Sequence, residues 1–149
     1  ALIRQGSIIG DDCIIGHNAE IKNSYISDEC KIQGNAFVGD SILGKGVRIG
    51  TGVILTNRRF DQAEISWQLE HKSQLSGHDK VGAIIGDYAR LGAGVITNPG
   101  SIIGAYSWVS GGQIVSDYID HKKYITVKGE IRENTSIKDL ASKDKNQER

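Results

Sequence analysis

Methionine is absent from this sequence, proline occurs once and cysteine only twice. Two thiols, Cys13 and Cys30, are too few for a disulfide framework, and their separation matches no metal-ligand spacing. An excess of either charge is also missing. Eighteen basic residues (18) face 18 acidic ones, so no global field draws in nucleic acid or an anionic membrane. No apolar run approaches the ~18 residues that span a bilayer, and no signal-peptide pattern is present. These absences lead to the expectation of a cytoplasmic protein with no nucleic-acid partner, no membrane partner and no metal. With 149 residues there is room for one domain, or for one domain and a short appendage. The chain opens directly on repeat sequence without an initiating Met, which we read as a piece of a longer protein.

What the sequence does have is glycine, 19 residues of it, and a period. Aliphatics recur every six residues at Ile3, Ile9, Ile15 and Ile21, then after a five-residue step at Ile26, Ile32 and Val38, and after another at Leu43, Ile49 and Leu55. The pattern resumes at Ile85, Leu91, Thr97, Ile103, Val109 and Val115. Gly often follows the aliphatic, and four places after it sits a small or β-branched residue such as Ser7, Cys13, Ala19, Cys30, Val47 or Ala89. A period of six suits neither an α-helix nor an alternating strand. It suits a coil with three short flat sides, about 18 residues per turn, in which each side sends one aliphatic to the centre. Gly, Asn and Asp at the corners tolerate the backbone angles that tight turns require.

The expected fold is therefore all-β: a parallel β-helix of about five coils, left-handed as hexapeptide-repeat proteins are, with coils over residues 1–55 and 85–133. Phasing the repeat predicts three columns. Ile9, Ile26 and Leu43 form one, Ile15, Ile32 and Ile49 a second, and Ile3, Ile21, Val38 and Leu55 a third. Cys13 and Cys30 take equivalent inward positions in adjacent coils and are expected to stack as inert core thiols. So thin a core favours packing several prisms side by side, and a homotrimer is expected.

Between residues 56 and 84 the period fails. An insertion of this length maps to a loop on one face of a repeat protein. It carries Arg58, Arg59, Trp67, His71, Lys72 and His78. A basic pair after a coil corner suits a phosphate, and Trp67 suits insertion between subunits; a solvated hairpin held by one aromatic anchor accounts for the same residues. After Val115, the run YITVKGEIREN reads as one more strand capping the open end. Residues 134–149 read as a short marginal helix or a frayed polar tail.

Three stretches carry a specific resemblance: IGHNAEIKNSYI, FVGDSILGKGVRIGTGVILTNRRFD and GAIIGDYARLGAGVITNPGSIIGAYSWV. Together they resemble the carboxy-terminal left-handed β-helix of sugar-1-phosphate nucleotidyltransferases. The nearest kinds are glucose-1-phosphate thymidylyltransferases and bifunctional amino-sugar uridylyl- and acetyltransferases. The resemblance covers about residues 3–130. It implies a parent transferase whose amino-terminal domain, not present in this chain, transfers the nucleotidyl group. It also implies a β-helix that in bifunctional members acetylates an amino sugar from acetyl-CoA at a subunit boundary.

By that resemblance, the family's general-base His falls on Gly34, its Tyr on Phe37 and an Asn on Arg48. A sugar-binding Lys is kept as Lys22 and a coil-closing Asn as Asn57. General-base help contributes about 10²–10⁴-fold, which a glycine cannot supply. His17 is the candidate substitute base, with a surface corner His as the alternative. Arg48, Arg58 and Arg59 remain suited to a phosphorylated sugar or a sugar nucleotide. A second resemblance, to gamma carbonic anhydrases through Gly16-His17, fails because Lys22 stands where a zinc-binding His is needed, and an ammonium cannot ligate.

Three readings stay open. The chain is an oligomerising and regulatory domain without chemistry, an acyl- or acetyl-CoA-dependent amino-sugar transferase with a substituted base, or a stand-alone trimeric scaffold.

Overall fold

A computed structural model describes residues 1–137 of the chain. Two- and three-residue strands follow one another around a triangular prism, and each pairs in parallel with the strand one coil later. The first side of the prism begins with Leu2–Ile3, the second with Ile8–Ile9 and the third with Ile14–Ile15. Sides one and two hold six strands each and side three holds seven, so the prism has six coils where the sequence suggested about five. The extra coil comes from Tyr118–Ile119, whose aliphatic follows Val115 by four residues and so falls out of the six-residue count.

The phasing holds throughout. Ile9, Ile26, Leu43, Ile85, Ile103 and Ile119 lie in register on side two. Ile15, Ile32, Ile49, Leu91, Val109 and Ile125 do so on side three. Ile3, Ile21, Val38, Leu55, Thr97 and Val115 complete side one. From the second coil on, each coil buries three such side chains, worth roughly 1.5–3 kcal/mol apiece before the cost of ordering the chain, while in the first coil Ile3 stays exposed. The corners turn through left-handed backbone at Asn18, Asn23, Asn35 and Asp40, residue types that visit that region at low cost.

Some of the small residues four places after an aliphatic have a second task. Cys13 Sγ donates to the Ser27 carbonyl and Cys30 Sγ to the Gly44 carbonyl, both at 3.1 Å, while Ser107 Oγ donates to Asp120 O at 2.6 Å. Where the residue is Cys or Ser, its side chain thus satisfies a carbonyl in the next coil. Cys30 is fully buried and Cys13 half-buried. Burial pushes the Cys30 thiol up to about 11. Little thiolate exists there at neutral pH, and the thiolate is the reactive form. A soluble maleimide at pH 7.5 is expected to label Cys13 first and Cys30 only on unfolding. Equal native rates for the two thiols would contradict this packing.

The interruption leaves side one after Ile54–Leu55 and rejoins side two at Ala83–Ile85, without disturbing the register of the coils it joins. Its middle is an antiparallel hairpin, Ser66–Gln68 with Ser73–Leu75. The buried anchor is aliphatic rather than aromatic. Ile65 is 2% exposed, whereas Trp67 is only half-buried, beside the outer face of side two. Val81 N–H donates to Asn57 O at 2.9 Å and closes the neck of the excursion.

At the far end, Lys123–Ile125 continues the parallel column and Ile131–Glu133 folds back on it antiparallel. The expected single end strand is thus a hairpin. Asn134, buried, fastens it by donating through Nδ2 to the Tyr106 carbonyl at 3.0 Å. The reading of 134–149 as marginal helix or tail falls, beyond residue 137, outside the described residues.

Candidate functional site

The edge between sides one and two collects the chemistry. Three successive corners there carry Asn23, Asp40 and Asn57, spaced by 17 residues. Asp40 is the hub. Its Oδ1 accepts from Asn23 Nδ2 at 2.8 Å, and its Oδ2 accepts from Asn57 Nδ2 at 2.6 Å and from the Lys22 ammonium at 3.0 Å. The Asp40 side chain is 7% exposed and that of Lys22 21%. Burial alone would raise the Asp40 carboxyl. The donors on Asn23, Asn57 and Lys22 outweigh it and hold the carboxyl below the usual carboxylate range. Lys22 is consequently a fixed charge at the lip of a groove rather than a mobile surface lysine.

That groove is open, has a volume of about 870 Å³, and is lined by Arg4, Lys22, Asn23, Asp40, His78 and Lys80 among others. Arg4 is tied to Glu20 at 2.9 Å, while Lys80 has no ion pair among the described residues. His78 arrives from the insertion. The hairpin positions it, because Ile65 N–H donates to the His78 carbonyl at 2.9 Å and Ser76 Oγ accepts from the His78 N–H at 3.1 Å. The groove therefore offers ammonium groups, an imidazole and amide donors in one concave place. Such a set suits a phosphorylated or carboxylated polar ligand.

The residues singled out from the sequence divide among three places. Lys22 and Asn57 meet, through Asp40. Arg58 lies beside the same edge, bonded to Gln62 at 2.8 Å and 3.8 Å from Asp79, which also lines the groove. Arg59 is engaged with Asp61, at 2.8 Å through Nε and 2.6 Å through a terminal nitrogen. This fork, with the Ala63 N–H, holds the Asp61 carboxyl at about 2. Beside them a second, smaller groove of about 470 Å³ runs past the fully exposed Phe60 to Pro99.

Arg48 projects from the outer face of side three, across the prism from Lys22. His17 sits exposed at the edge between sides three and one. It is at the opposite end of strand Glu20–Lys22 from the Lys22 corner, a span of roughly 16 Å at about 3.3 Å per residue. His17 and Lys22 of one subunit therefore do not share a site. Asp40, Asn23 and Lys80 were not singled out from the sequence, and His78 was named there only among the residues of the insertion, without a role.

A family model described as GMPPB C-terminal domain matches residues 1–137. A bifunctional sugar-1-phosphate nucleotidylyltransferase/acetyltransferase of Sulfurisphaera tokodaii is 34% identical over 125 residues, which are 84% of this chain and 31% of the relative. The bifunctional protein GlmU of Methanococcus vannielii is 30% identical over 131 residues, 88% of this chain and 31% of that protein. The chain thus spans about a third of the length of these curated relatives. Among solved structures, the acetyltransferase domain of PglB from Neisseria gonorrhoeae FA1090, in complex with acetyl coenzyme A, aligns with a TM-score of 0.68. The identity is 16%, covering 89% of this chain and 53% of that one, so the likeness is one of fold. No helix among the described residues is long and apolar enough to cross a membrane.

Proposed function

This chain belongs to the GMPPB C-terminal domain family, a β-helix also carried by sugar-1-phosphate nucleotidylyltransferases and GlmU proteins, and from that premise we propose that it assembles its parent transferase and holds a sugar phosphate at the Lys22–Asp40–Asn57 edge, without transferring an acetyl group itself. The observation that carries the reading is the clamp on Lys22. A buried carboxylate, itself held by two amides, fixes the ammonium at the mouth of a groove that Arg4, His78 and Lys80 also line; by the resemblance, the family's base position falls on Gly34, which lies beside His17 at the edge between sides three and one.

Assembly as a trimer is supported by the outer faces of sides one and two. Leu2, Ile54 and Ile114 on one, and Ile8 and Ile42 on the other, are each 39–66% exposed in the single chain. Apolar columns of this extent mark interaction surfaces. The free thiols at Cys13 and Cys30 fit a reducing compartment, and hence the cytoplasm.

One observation favours a second reading. His78 lines the same groove as Lys22, so acetyl transfer with a substituted base has a candidate within one subunit besides His17. A single set of assays separates the two. The chain is expected to sediment as a trimer, to bind an amino-sugar phosphate in a Lys22-dependent manner, and to release no thiol from acetyl-CoA. Thiol release that disappears in His78→Ala would replace the first reading with the second. A monomer at tens of micromolar would remove the assembly role.

A further inference from the structure

Beyond its first strand, where the exposed Ile14 stands, the outer face of side three differs in kind from the other two. Reading along its strands, Lys31, Arg48 and Arg90 stand directly opposite one another on consecutive coils, and the same column continues with Trp108 and Tyr124. Parallel neighbours lie about 4.8 Å apart, so three cations occupy a line about 10 Å long. Like charges placed directly opposite across strands destabilise a sheet. No ion pair within 4.0 Å offsets Lys31 or Arg48 among the described residues. Arg90 lies 5.0 Å from the Trp108 ring centroid, a cation–π contact that joins the basic part of the column to its aromatic part. The adjoining edge is lined by small residues, Gly50-Thr51-Gly52 and Gly92-Ala93-Gly94, which leave the column accessible from one flank.

We propose that this face binds a nucleoside diphosphate. The diphosphate lies across Lys31 and Arg48, and the base stacks toward the Trp108–Tyr124 end. A line of cations at rung spacing matches a linear polyanion better than a single carboxylate, and guanidinium binds phosphate oxygens in a fork. The aromatic continuation supplies what a heterocyclic base needs and a bare polyphosphate does not. The site is independent of the Lys22 groove, since the edge between sides one and two lies opposite side three. It also remains open in an oligomer built on the apolar faces of sides one and two.

The test is calorimetric titration of the chain at low salt with ADP and with inorganic pyrophosphate. ADP is expected to bind, and pyrophosphate to bind more weakly. Lys31→Gln and Arg48→Gln are each expected to weaken ADP by about tenfold, as loss of one charge-assisted contact does, and Trp108→Leu to remove the advantage of ADP over pyrophosphate. Lys22→Ala should leave ADP affinity unchanged. No ADP binding at about 10 mM, wild-type affinity in both cation variants, or loss of binding in Lys22→Ala would each overturn the assignment. Equal affinity for ADP and pyrophosphate would overturn the role of the aromatic end. Thermal melts of each variant show that it is folded before its affinity is read.

Discussion

Asp40→Ala is expected to destabilise the domain by about 2–4 kcal/mol and to release Lys22 from its groove. Removing one partner of a buried ion pair costs roughly 3–5 kcal/mol, because the other charge is left uncompensated. The figure is lowered here because the Lys22 side chain retains 21% exposure and can hydrate. Two amide donors, Asn23 Nδ2 and Asn57 Nδ2, lose their acceptor in the same substitution. For a chain of this size the loss corresponds to a fall in Tm of about 10 °C.

The pH dependence has a definite sign. The folded carboxyl titrates below its unfolded value of about 3.9, so its contribution is complete above that value and is lost as pH falls through the depressed folded one. Wild type and Asp40→Ala should therefore differ most above about pH 5 and converge on acidification below about pH 4. Thermal melts across that range check both points. Equal Tm values for the two proteins at neutral pH would show that the clamp contributes nothing.

Gly100→Ala is expected to cost more, about 3–5 kcal/mol, and to free the hairpin from the prism. Gly100 sits at φ +83°, where an L side chain costs roughly 1–2 kcal/mol. An added Cβ would also run into the Ser66 carbonyl, with the Ile65 side chain close behind. Because the Gly100 carbonyl accepts from Gln68 N–H at 3.0 Å, the hairpin cannot retreat without losing that bond and the burial of Ile65, itself worth about 1.5–3 kcal/mol. Gly52→Ala is the control. It has a similar angle, φ +70°, but nothing within 4 Å of the new Cβ, so it should cost only the conformational part. Urea unfolding measures both, and limited proteolysis within residues 58–80 reports the hairpin. Equal costs for the two variants would mean that the contact at Gly100 is not a dock.

The columns were legible because one physical requirement, an aliphatic at the centre of each side, repeats with a fixed period. Ile3 through Val115 could be assigned to columns without any knowledge of contacts. Tyr118–Ile119 escaped because a corner shortened by two residues breaks the count while leaving the pairing intact. The hairpin was half legible. Its length marked a loop, but Ile65 and Trp67 look alike as anchors until the surface they meet is known, and that surface is the backbone at Gly100.

At the site, Lys22 and Asn57 were found through resemblance, which names only residues that a related chemistry uses. Asp40 was missed because it acts through its neighbours. A signal for it was present in the Asn23, Asp40 and Asn57 series, spaced by 17 residues, which places three polar side chains on consecutive corners of one edge. His78 had no such signal, since its position depends on the path of a segment without a period.

The closed neck between Asn57 and Val81 has a consequence for what this architecture can become. One backbone bond of 2.9 Å brings the two ends of the excursion together, and the coils on either side stay in register regardless of what lies between. The entropy of closing a loop grows only slowly, by about 0.6 kcal/mol for each doubling of length. The prism therefore behaves as a socket that accepts passengers. The hairpin's tip, residues 69–72, can be lengthened or exchanged at little thermodynamic cost so long as the Ile65–Gln68 stretch that docks at Gly100 is kept, and whatever is inserted is delivered beside the Lys22 groove.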